Sequence, residues 1–336
     1  MKKQIQELLF EQVKLRLPDN LSLGNSLSDV LSLSPDAVYR RFRGETPVTM
    51  NEAHKICNHF NLSFDALAEM GEGKVIFNYT PLNTLEFSLE GYLEGILDAF
   101  KKLKSLDGAE MILSVNNINF FHMLNFPQLI RFKLYFWAKT HVQIPKYKDE
   151  KFAHERTSQR AFELGKEIIQ IYNSIPSSEI YDPEFMRGFM RQIHYYKKAH
   201  LFEDPEYSMF LYNRINMLSD HLKEQAIHGK KFMYSTQPPA NGNSFTMYLN
   251  ETINPDSTFY FESANNKGVF ISHNIMSYLE TTNQEYAMDS KSILDRQIAN
   301  SSQISLINEK ERNNFFHEVE QNINHFKKKL EIEKEF

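Results

Sequence analysis

Hydrophobic residues in the first 70 positions recur at helical spacing in short, separate stripes. The first stripe predicts a helix over residues 3–17, which ends at Pro18. A second stripe predicts another short helix that ends near residue 31. The members are Ile5, Leu8, Leu9, Val13 and Leu17, and then Leu23, Leu27, Val30 and Leu31. Short amphipathic helices bury one face each, so the pattern indicates a small helical bundle.

Capping residues separate the helices that follow. In the pair Ser34–Pro35 the serine is suited to cap a helix and the proline to take its first position, while Gly44 is suited to follow its end. Thr49–Glu52 forms a capping box for a fourth helix, and Ser63 opens a fifth. The sequence therefore predicts a mainly α, five-helix domain over residues 1–70.

A different body follows a predicted linker over residues 71–85. From residue 86 to residue 336 longer helical stripes dominate, and Met111–Val115 predicts a buried strand. The predicted helices cover residues 88–105, 127–140, 150–174, 183–200, 205–228, 274–299 and 308–332. A chain of 336 residues exceeds what one core usually holds, which agrees with two domains.

Alternating hydrophobic and polar residues between positions 231 and 273 predict strands. The candidates are residues 232–235, 245–249, 258–261 and 269–272. Turn-forming Asn, Pro and Gly residues separate them. Because short connections favour hairpins, the second domain is predicted to be a helix-rich α+β domain with an antiparallel sheet.

The most specific motif lies at Leu27–Gly44, with the sequence LSDVLSLSPDAVYRRFRG. It resembles the helix-turn-helix of the Cro-like family of phage-type repressors, and the resemblance covers about residues 5–70. It implies that residues 35–43 form a recognition helix in the major groove of double-stranded DNA. Three residues depart from the family pattern, at the turn glycine, a phosphate-contacting glutamine and an apolar position: Ser32, Gly24 and Arg41.

The resemblance also implies, by position, which residues would touch DNA. They are Asn25, Ser34, Pro35, Asp36, Tyr39, Arg40 and Arg43. Pro35, Asp36 and Arg40 correspond to base-edge positions, and Ser34 and Arg43 lie nearer to the phosphates. Arg40 is the strongest candidate for base recognition because a guanidinium can bond both acceptors of a guanine. Asp36 either accepts from a cytosine amine or only complements the helix dipole.

In the same family pattern, a leucine and a small residue of the first motif helix allow the recognition helix to approach closely. These residues are Leu27 and Ser28 here. Leu33, Val38 and Phe42 would then form the buried back of the recognition helix.

Charge gives a local basic patch and not a basic domain. The whole chain has a net charge of -5, yet Arg40, Arg41 and Arg43 lie within four positions of one another. The alternative function is a protein-interaction adaptor that uses a helix-turn-helix fold without binding DNA. A continuous positive face on the recognition helix would favour DNA, and carboxylates interrupting that face would favour the adaptor.

Motifs for catalysis and metal binding are missing from the sequence. There is no phosphate-binding loop, dinucleotide-binding glycine motif, zinc-protease motif or nucleophile elbow, so we expect no enzymatic activity and no cofactor. The single cysteine, Cys57, excludes an intramolecular disulfide, and the histidine spacings do not favour a metal site. With no signal-peptide pattern and no apolar run of about 18 residues, we expect a cytoplasmic protein that does not span a membrane.

The second domain is expected to supply dimerisation and sensing. One recognition module buries little surface on DNA, so we expect a homodimer assembled through this domain. Two apolar stripes are candidate dimer surfaces, although both are also suited to the core of one subunit: Phe132, Tyr135 and Phe136, and then Phe315, Val319, Ile323 and Phe326. We also expect a pocket for a small-molecule or peptide effector between the sheet and its helices.

Two stretches of the second domain carry a further resemblance. Residues 126–137 and 309–316 are similar to the C-terminal part of regulators that pair such an N-terminal domain with a large body. This likeness implies an architecture and adds no mechanism. Their aromatic stripes favour a core position over a ligand cage.

Overall fold

The chain divides into two compact units, Met1–Phe77 and Asn78–Phe336. The computed structural model describes residues 5–14, 16–17, 21–60, 62–64, 74–82, 86–153, 158–252, 257–274 and 276–332. The division falls inside the segment predicted as a linker over residues 71–85. Asn78 and Tyr79 depart from that prediction, because they pair with a strand of the second unit.

Short helices surround one core in the described part of the first unit. They are α1 (Ile5–Lys14), α2 (Leu23–Leu31), α3 (Pro35–Phe42) and α4 (Met50–Phe60). Their apolar stripes meet in a core that includes Leu9, Phe10, Val13, Leu27, Val38, Ala53, Ile56 and Cys57. The described part of α1 is shorter than the predicted 3–17. The predicted fifth helix, which opens at Ser63, runs into residues that lie outside the described ones.

Serine residues set the turn between α2 and α3. The Ser22 hydroxyl accepts a hydrogen bond from the Asn25 N–H, and the Ser34 hydroxyl accepts one from the Ala37 N–H, so each caps a helix. Ser32 follows α2 with a φ of 56°, in the left-handed region that favours glycine. Ser32, which replaces the usual turn glycine, therefore keeps the left-handed backbone conformation. This conformation costs a residue with a Cβ about 1 kcal/mol.

The described strands of the second unit form one mixed sheet of eight strands. They are β1 (Asn78–Tyr79), β2 (Glu110–Val115), β3 (Ser177–Tyr181), β4 (Phe245–Leu249), β5 (Thr258–Glu262), β6 (Lys267–His273), β7 (Ser277–Thr281) and β8 (Ser302–Gln303). Their order is β1-β7-β6-β5-β2-β3-β4-β8. The neighbours β2, β3 and β4 run parallel, and the other pairs are antiparallel.

The prediction of an antiparallel sheet is wrong for the central strands. Helices lie between β2, β3 and β4 in the chain, and such crossovers connect parallel neighbours. The hairpin prediction is confirmed for β5 and β6, and β7, which was predicted as part of a helix, pairs with β6 as a further antiparallel strand. Residues 232–235, predicted as a strand, form none. Phe232 instead packs its ring edge-on against His221, which anchors a loop before β4.

The α-helices described in the second unit lie before, between and after the strands in the chain. They are α5 (Leu89–Lys104), α6 (Phe120–Met123), α7 (Pro127–Phe136), α8 (Gln159–Asn173), α9 (Arg187–Lys198), α10 (Tyr207–His228), α11 (Gln284–Ala299) and α12 (Glu309–Ile332). The predicted helix over 274–299 begins only at Gln284, because β7 occupies residues 277–281. Among the described residues, no helix combines the length and the apolar character that a membrane crossing needs.

The larger of the two hydrophobic cores described in the second unit includes both stripes that were candidate dimer surfaces. Phe132 and Phe136 of α7 are buried in it, as are Phe315, Val319 and Ile323 of α12. Tyr135 and Phe326 are partly buried beside them. These side chains already pack within a single chain, so the alternative that both stripes belong to the core of one subunit holds.

Candidate functional site

Helix α3 has a buried back and an exposed polar front. Val38 is fully buried, and the partly buried Phe42 packs edge-on against Phe10, with ring centroids 5.8 Å apart. The predicted DNA-contact residues are all exposed: Asn25, Ser34, Pro35, Asp36, Tyr39, Arg40 and Arg43. The sequence thus placed these side chains on the solvent side, where a ligand can reach them.

Gly24 of α2 lies against α3 with no room for a side chain. A Cβ atom at this position would lie 2.6 Å from Tyr39 Cε2 and 3.3 Å from Pro35 Cβ. Leu27 is buried as predicted, but Ser28 donates its hydroxyl hydrogen to the Gly24 carbonyl of its own helix. The glycine that departs from the family pattern therefore has a packing reason, which the sequence reasoning assigned to Leu27 and Ser28.

Arg41 does not belong to the exposed basic patch. Its guanidinium binds Glu52 of α4 through two hydrogen bonds, Nε to Oε2 at 3.2 Å and Nη2 to Oε1 at 2.8 Å. Both side chains are about 15% exposed. Burial alone would raise the pKa of Glu52, but the bonds from Arg41 and the Thr49 N–H outweigh it and lower that pKa. Arg41, at a usually apolar position, thus links α3 to α4 through an ion pair.

Carboxylates interrupt the positive charge that remains on α3. Arg40 Nε lies 3.1 Å from Asp36 Oδ2, one helical turn earlier, and Arg43 pairs with Glu45. All four side chains are about half exposed or more. The patch that the sequence predicted from three arginines is therefore reduced to two, each beside an acidic partner.

A second concentration of polar groups lies inside the second unit, around Glu179 of β3. This carboxylate is fully buried. Tyr181 donates to Oε2 at 2.6 Å, and Tyr172 of α8 donates to Oε1. The further donors are Asn119 and His122 at 3.1 and 3.0 Å from Oε2, and Ser177 at 3.3 Å from Oε1. Through His122 and Tyr172, these hydrogen bonds connect β3 to helices α6 and α8.

The bonds to Glu179 control its ionisation. Burial alone would raise the pKa of Glu179, but the interactions with His122, the charge of Lys231 and the hydrogen bond from Tyr172 outweigh that effect and hold the pKa well below its usual range. Burial and the adjacent carboxylate raise the pKa values of Tyr172 and Tyr181 well above theirs. Glu179 is therefore a fixed anion surrounded by phenols that keep their protons.

Sequence reasoning missed this cluster because it missed β3. Glu is uncommon in strands, so the run Ser177–Tyr181 does not stand out as one. Once the strand is known, its period of two places Ser177, Glu179 and Tyr181 on one face. That alternation is the signal that could have identified the cluster.

Lys231 lies next to the cluster with its ammonium buried. Nζ lies 3.8 Å from the centroid of the Tyr172 ring, and among the described residues it has no hydrogen-bond acceptor. Burial lowers the pKa of Lys231 to about 7, although the charge of Glu179 opposes this shift. The side chain is thus an uncommon case of a buried amine held by an aromatic face.

A surface pocket of about 210 Å³ lies elsewhere in the second unit. It lies between the start of α9 and the last helix, with Met186, Met190, Val319 and Phe326 among its apolar lining residues. The pocket predicted for an effector was expected between the sheet and its helices, which is a different place. Within the described ranges, no three His, Cys, Asp or Glu side chains are grouped so that they could hold a metal ion.

Comparisons with known proteins give no match, so a functional conclusion rests on the geometry of the sites described above. No family model matches the chain, and neither curated proteins nor solved structures contain a match. Two places in the molecule concentrate functional groups: the exposed front of α3 and the buried cluster around Glu179.

Proposed function

We propose that the chain is a sequence-specific DNA-binding transcription regulator in which α2 and α3 act as a Cro-like, repressor-like helix-turn-helix. The observation that carries the proposal is the two-sided character of α3. Its back is packed on the first unit, while its N-terminal half presents Ser34, Pro35 and Asp36 to solvent, followed by Tyr39 and Arg40. A recognition helix needs this arrangement, because its first turns must reach base edges in the major groove.

Arg40 must leave Asp36 to read a base. An exposed pair one turn apart on a helix contributes only about 0.3 to 0.5 kcal/mol, so opening it costs little. A bidentate contact with guanine provides about 1 to 3 kcal/mol of discrimination. The second value exceeds the first, so the Asp36 pair does not prevent base recognition. Asp36, once released, can accept from a cytosine amine on a neighbouring base pair.

Phosphate contacts would come from the edges of the same face. Arg43 is exposed and can exchange Glu45 for a phosphate oxygen. Ser34 and the side-chain amide of Asn25 are exposed donors at the starts of α3 and α2. Because Asp36 and Glu45 offset both arginines, we expect weak non-specific binding and a shallow dependence of affinity on salt.

The second unit would then supply assembly and regulation, without catalytic activity. We propose a cytoplasmic homodimer, because two linked modules discriminate between DNA sequences far better than one. The buried side chains of the stripes on α7 and α12 cannot form its interface.

A second candidate function has its own supporting observation. The carboxylates of Asp36 and Glu45 interrupt the positive face, which is the charge pattern expected of a protein-interaction adaptor. In that case the α3 front would contact a partner protein, and duplex DNA would not bind.

Selection of duplexes from a random pool, followed by titration, separates these functions. We expect Arg40→Ala to weaken specific binding about 5-fold to 150-fold and to relax one base position, as 1 to 3 kcal/mol implies. Arg43→Ala should weaken all duplexes alike and reduce the salt slope by about one. Lys55→Ala, an exposed residue on α4, is the control and should change neither. Failure to enrich any sequence, with retention of a partner protein by the α3 face, would support the adaptor.

A further inference from the structure

The surface pocket between α9 and α12 has an apolar side. Its volume is about 210 Å³, and Met186, Met190, Val319 and Phe326 are among its lining residues. The first three are buried, and Phe326 is partly buried. The Met190 N–H donates to the Met186 carbonyl one helical turn earlier, so the two methionines are neighbours in the lining. The pocket therefore offers thioether and ring surfaces to a bound molecule.

The size and the lining of the pocket match one aromatic ring. A cavity of about 150 Å³ lined by apolar side chains is large enough to bind benzene. The volume of about 210 Å³ leaves room for a ring with one small substituent, and it is below the roughly 300 Å³ of the smallest pockets for drug-sized molecules. Thioether sulfur atoms and aromatic rings both make favourable contacts with an aromatic ring. A ring therefore fits the two methionines and Phe326 better than an alkyl chain does.

Exposed charged side chains of the pocket carry an excess of one positive charge. Arg187 and Lys329 are the cations, and Glu184 is the single carboxylate among the lining residues. Arg187 Nη1 lies 2.7 Å from Glu184 Oε2, so these two charges offset each other. The ammonium of Lys329 instead lies 5.5 Å from the centroid of the Phe326 ring. No second carboxylate belongs to the lining, so Lys329 is the cation that a negative group on a bound molecule can meet.

We propose that this pocket binds a small aromatic monocarboxylate, which is a single ring that carries one carboxylate. The ring packs on Met186, Met190 and Phe326, and the carboxylate meets the ammonium of Lys329. Phe326 and Lys329 lie three residues apart on α12, which places an aromatic face and a cation within reach of one small molecule. The site lies in the second unit, and this inference does not rest on DNA binding by the first.

Fluorine NMR of 4-fluorobenzoate, titrated with the full chain, tests the site. We expect a saturable change of the fluorine signal with a Kd of about 1 mM or tighter, since a ligand of this size has few atoms to contribute. Unlabelled benzoate should displace the probe. Benzyl alcohol, which lacks the charge, and hexanoate, which lacks the ring, should each displace it about 5-fold less well than benzoate.

Variants of α12 assign the two parts of the pocket. Lys329→Gln should weaken benzoate binding about 5-fold and leave the binding of benzyl alcohol unchanged, because it removes the charge and keeps the apolar lining. Lys328→Gln is the matched control: it removes the same charge from an exposed neighbour outside the lining and should change neither ligand. Asn322→Phe places a ring in the pocket from a half-buried lining position and should abolish the binding of both ligands.

Three results would overturn the proposal. The first is a fluorine signal that shows no saturable change with the unmodified protein. The second is benzoate binding that Lys329→Gln and Lys328→Gln weaken equally, which would indicate a general effect of charge. The third is hexanoate that displaces the probe as well as benzoate does, which would contradict an aromatic ligand. If Asn322→Phe does not fold, the comparison of the two lysine variants still decides.

Discussion

The ion pair on α3 and the pair at the centre of the sheet have similar lengths and opposite environments. Arg40 and Asp36 lie 3.1 Å apart with 59% and 68% of their side chains exposed. His122 and Glu179 lie 3.0 Å apart with neither exposed. Water screens the first pair, so its partners can separate to meet a ligand at little cost. Removing a partner from the second leaves buried groups unsatisfied. Solvent exposure, more than distance, decides which charges can serve recognition and which fix the fold.

The strongest test of this comparison is Glu179→Ala. It removes the acceptor of five donors, so we expect the second unit to lose about 3 to 5 kcal/mol of stability. Urea unfolding followed by Trp137 fluorescence measures the effect. Glu184→Ala is the matched control, because Glu184 pairs with Arg187 while 55% exposed, and it should change stability by less than about 0.5 kcal/mol. Equal effects of the two variants would show that burial does not distinguish these carboxylates.

A second test uses the pH dependence of a buried amine. Burial lowers the pKa of Lys133 to about 7. Between that pH and the usual lysine range the unfolded chain binds more protons than the folded one, so stability should rise with pH by up to about 1.4 kcal/mol per unit. Lys133→Met should remove this contribution between about pH 7 and pH 9. Urea unfolding of the unmodified protein and of Lys133→Met between these pH values measures the difference. If the free energies of unfolding change in parallel with pH, the lowered pKa of Lys133 is contradicted.

The smallest expected effect on stability lies in the first unit. There the mostly buried ion pair Arg41–Glu52 can be compared with the exposed pair Arg43–Glu45. Glu52→Ala should destabilise α4 by about 1 to 3 kcal/mol, because it leaves Arg41 without its partner in a mostly buried position. Glu45→Ala removes the partner of the exposed Arg43 and should cost less than about 0.5 kcal/mol. Hydrogen exchange of α4 amides distinguishes the two. Similar hydrogen-exchange protection of the α4 amides in both variants would show that the Arg41–Glu52 pair stabilises the fold no more than an exposed pair does.

Local chemistry explains what the sequence predicted well. The caps Ser22 and Ser34 and the proline at position 35 act on neighbouring residues, so the bounds of α2 and α3 and the exposed front of α3 could be inferred from short windows. The ion pair between Asp36 and Arg40 could also have been predicted, because residues four positions apart on a helix are neighbours on its surface.

Long-range packing explains what could not be predicted. The partner of Arg41 lies on another helix, and no local pattern points to Glu52. In the second unit β3 pairs on both sides with strands far away in the chain, and its Glu179 finds donors on two helices, His122 and Tyr172. The segment at Ser277–Thr281 was absorbed into a predicted helix, because its pairing with β6 is what makes it a strand.

The position of β2 in the sheet sets an order of events during synthesis. Its residue Ile112 pairs with Tyr260 of β5, so the two halves of the sheet can join only after most of the second unit has left the ribosome. The contacts within the first unit are close in sequence, and such contacts form fast. A nascent chain should therefore carry a folded first unit while β2 still exposes an unpaired edge. That interval is when chaperone binding or aggregation would act on this protein.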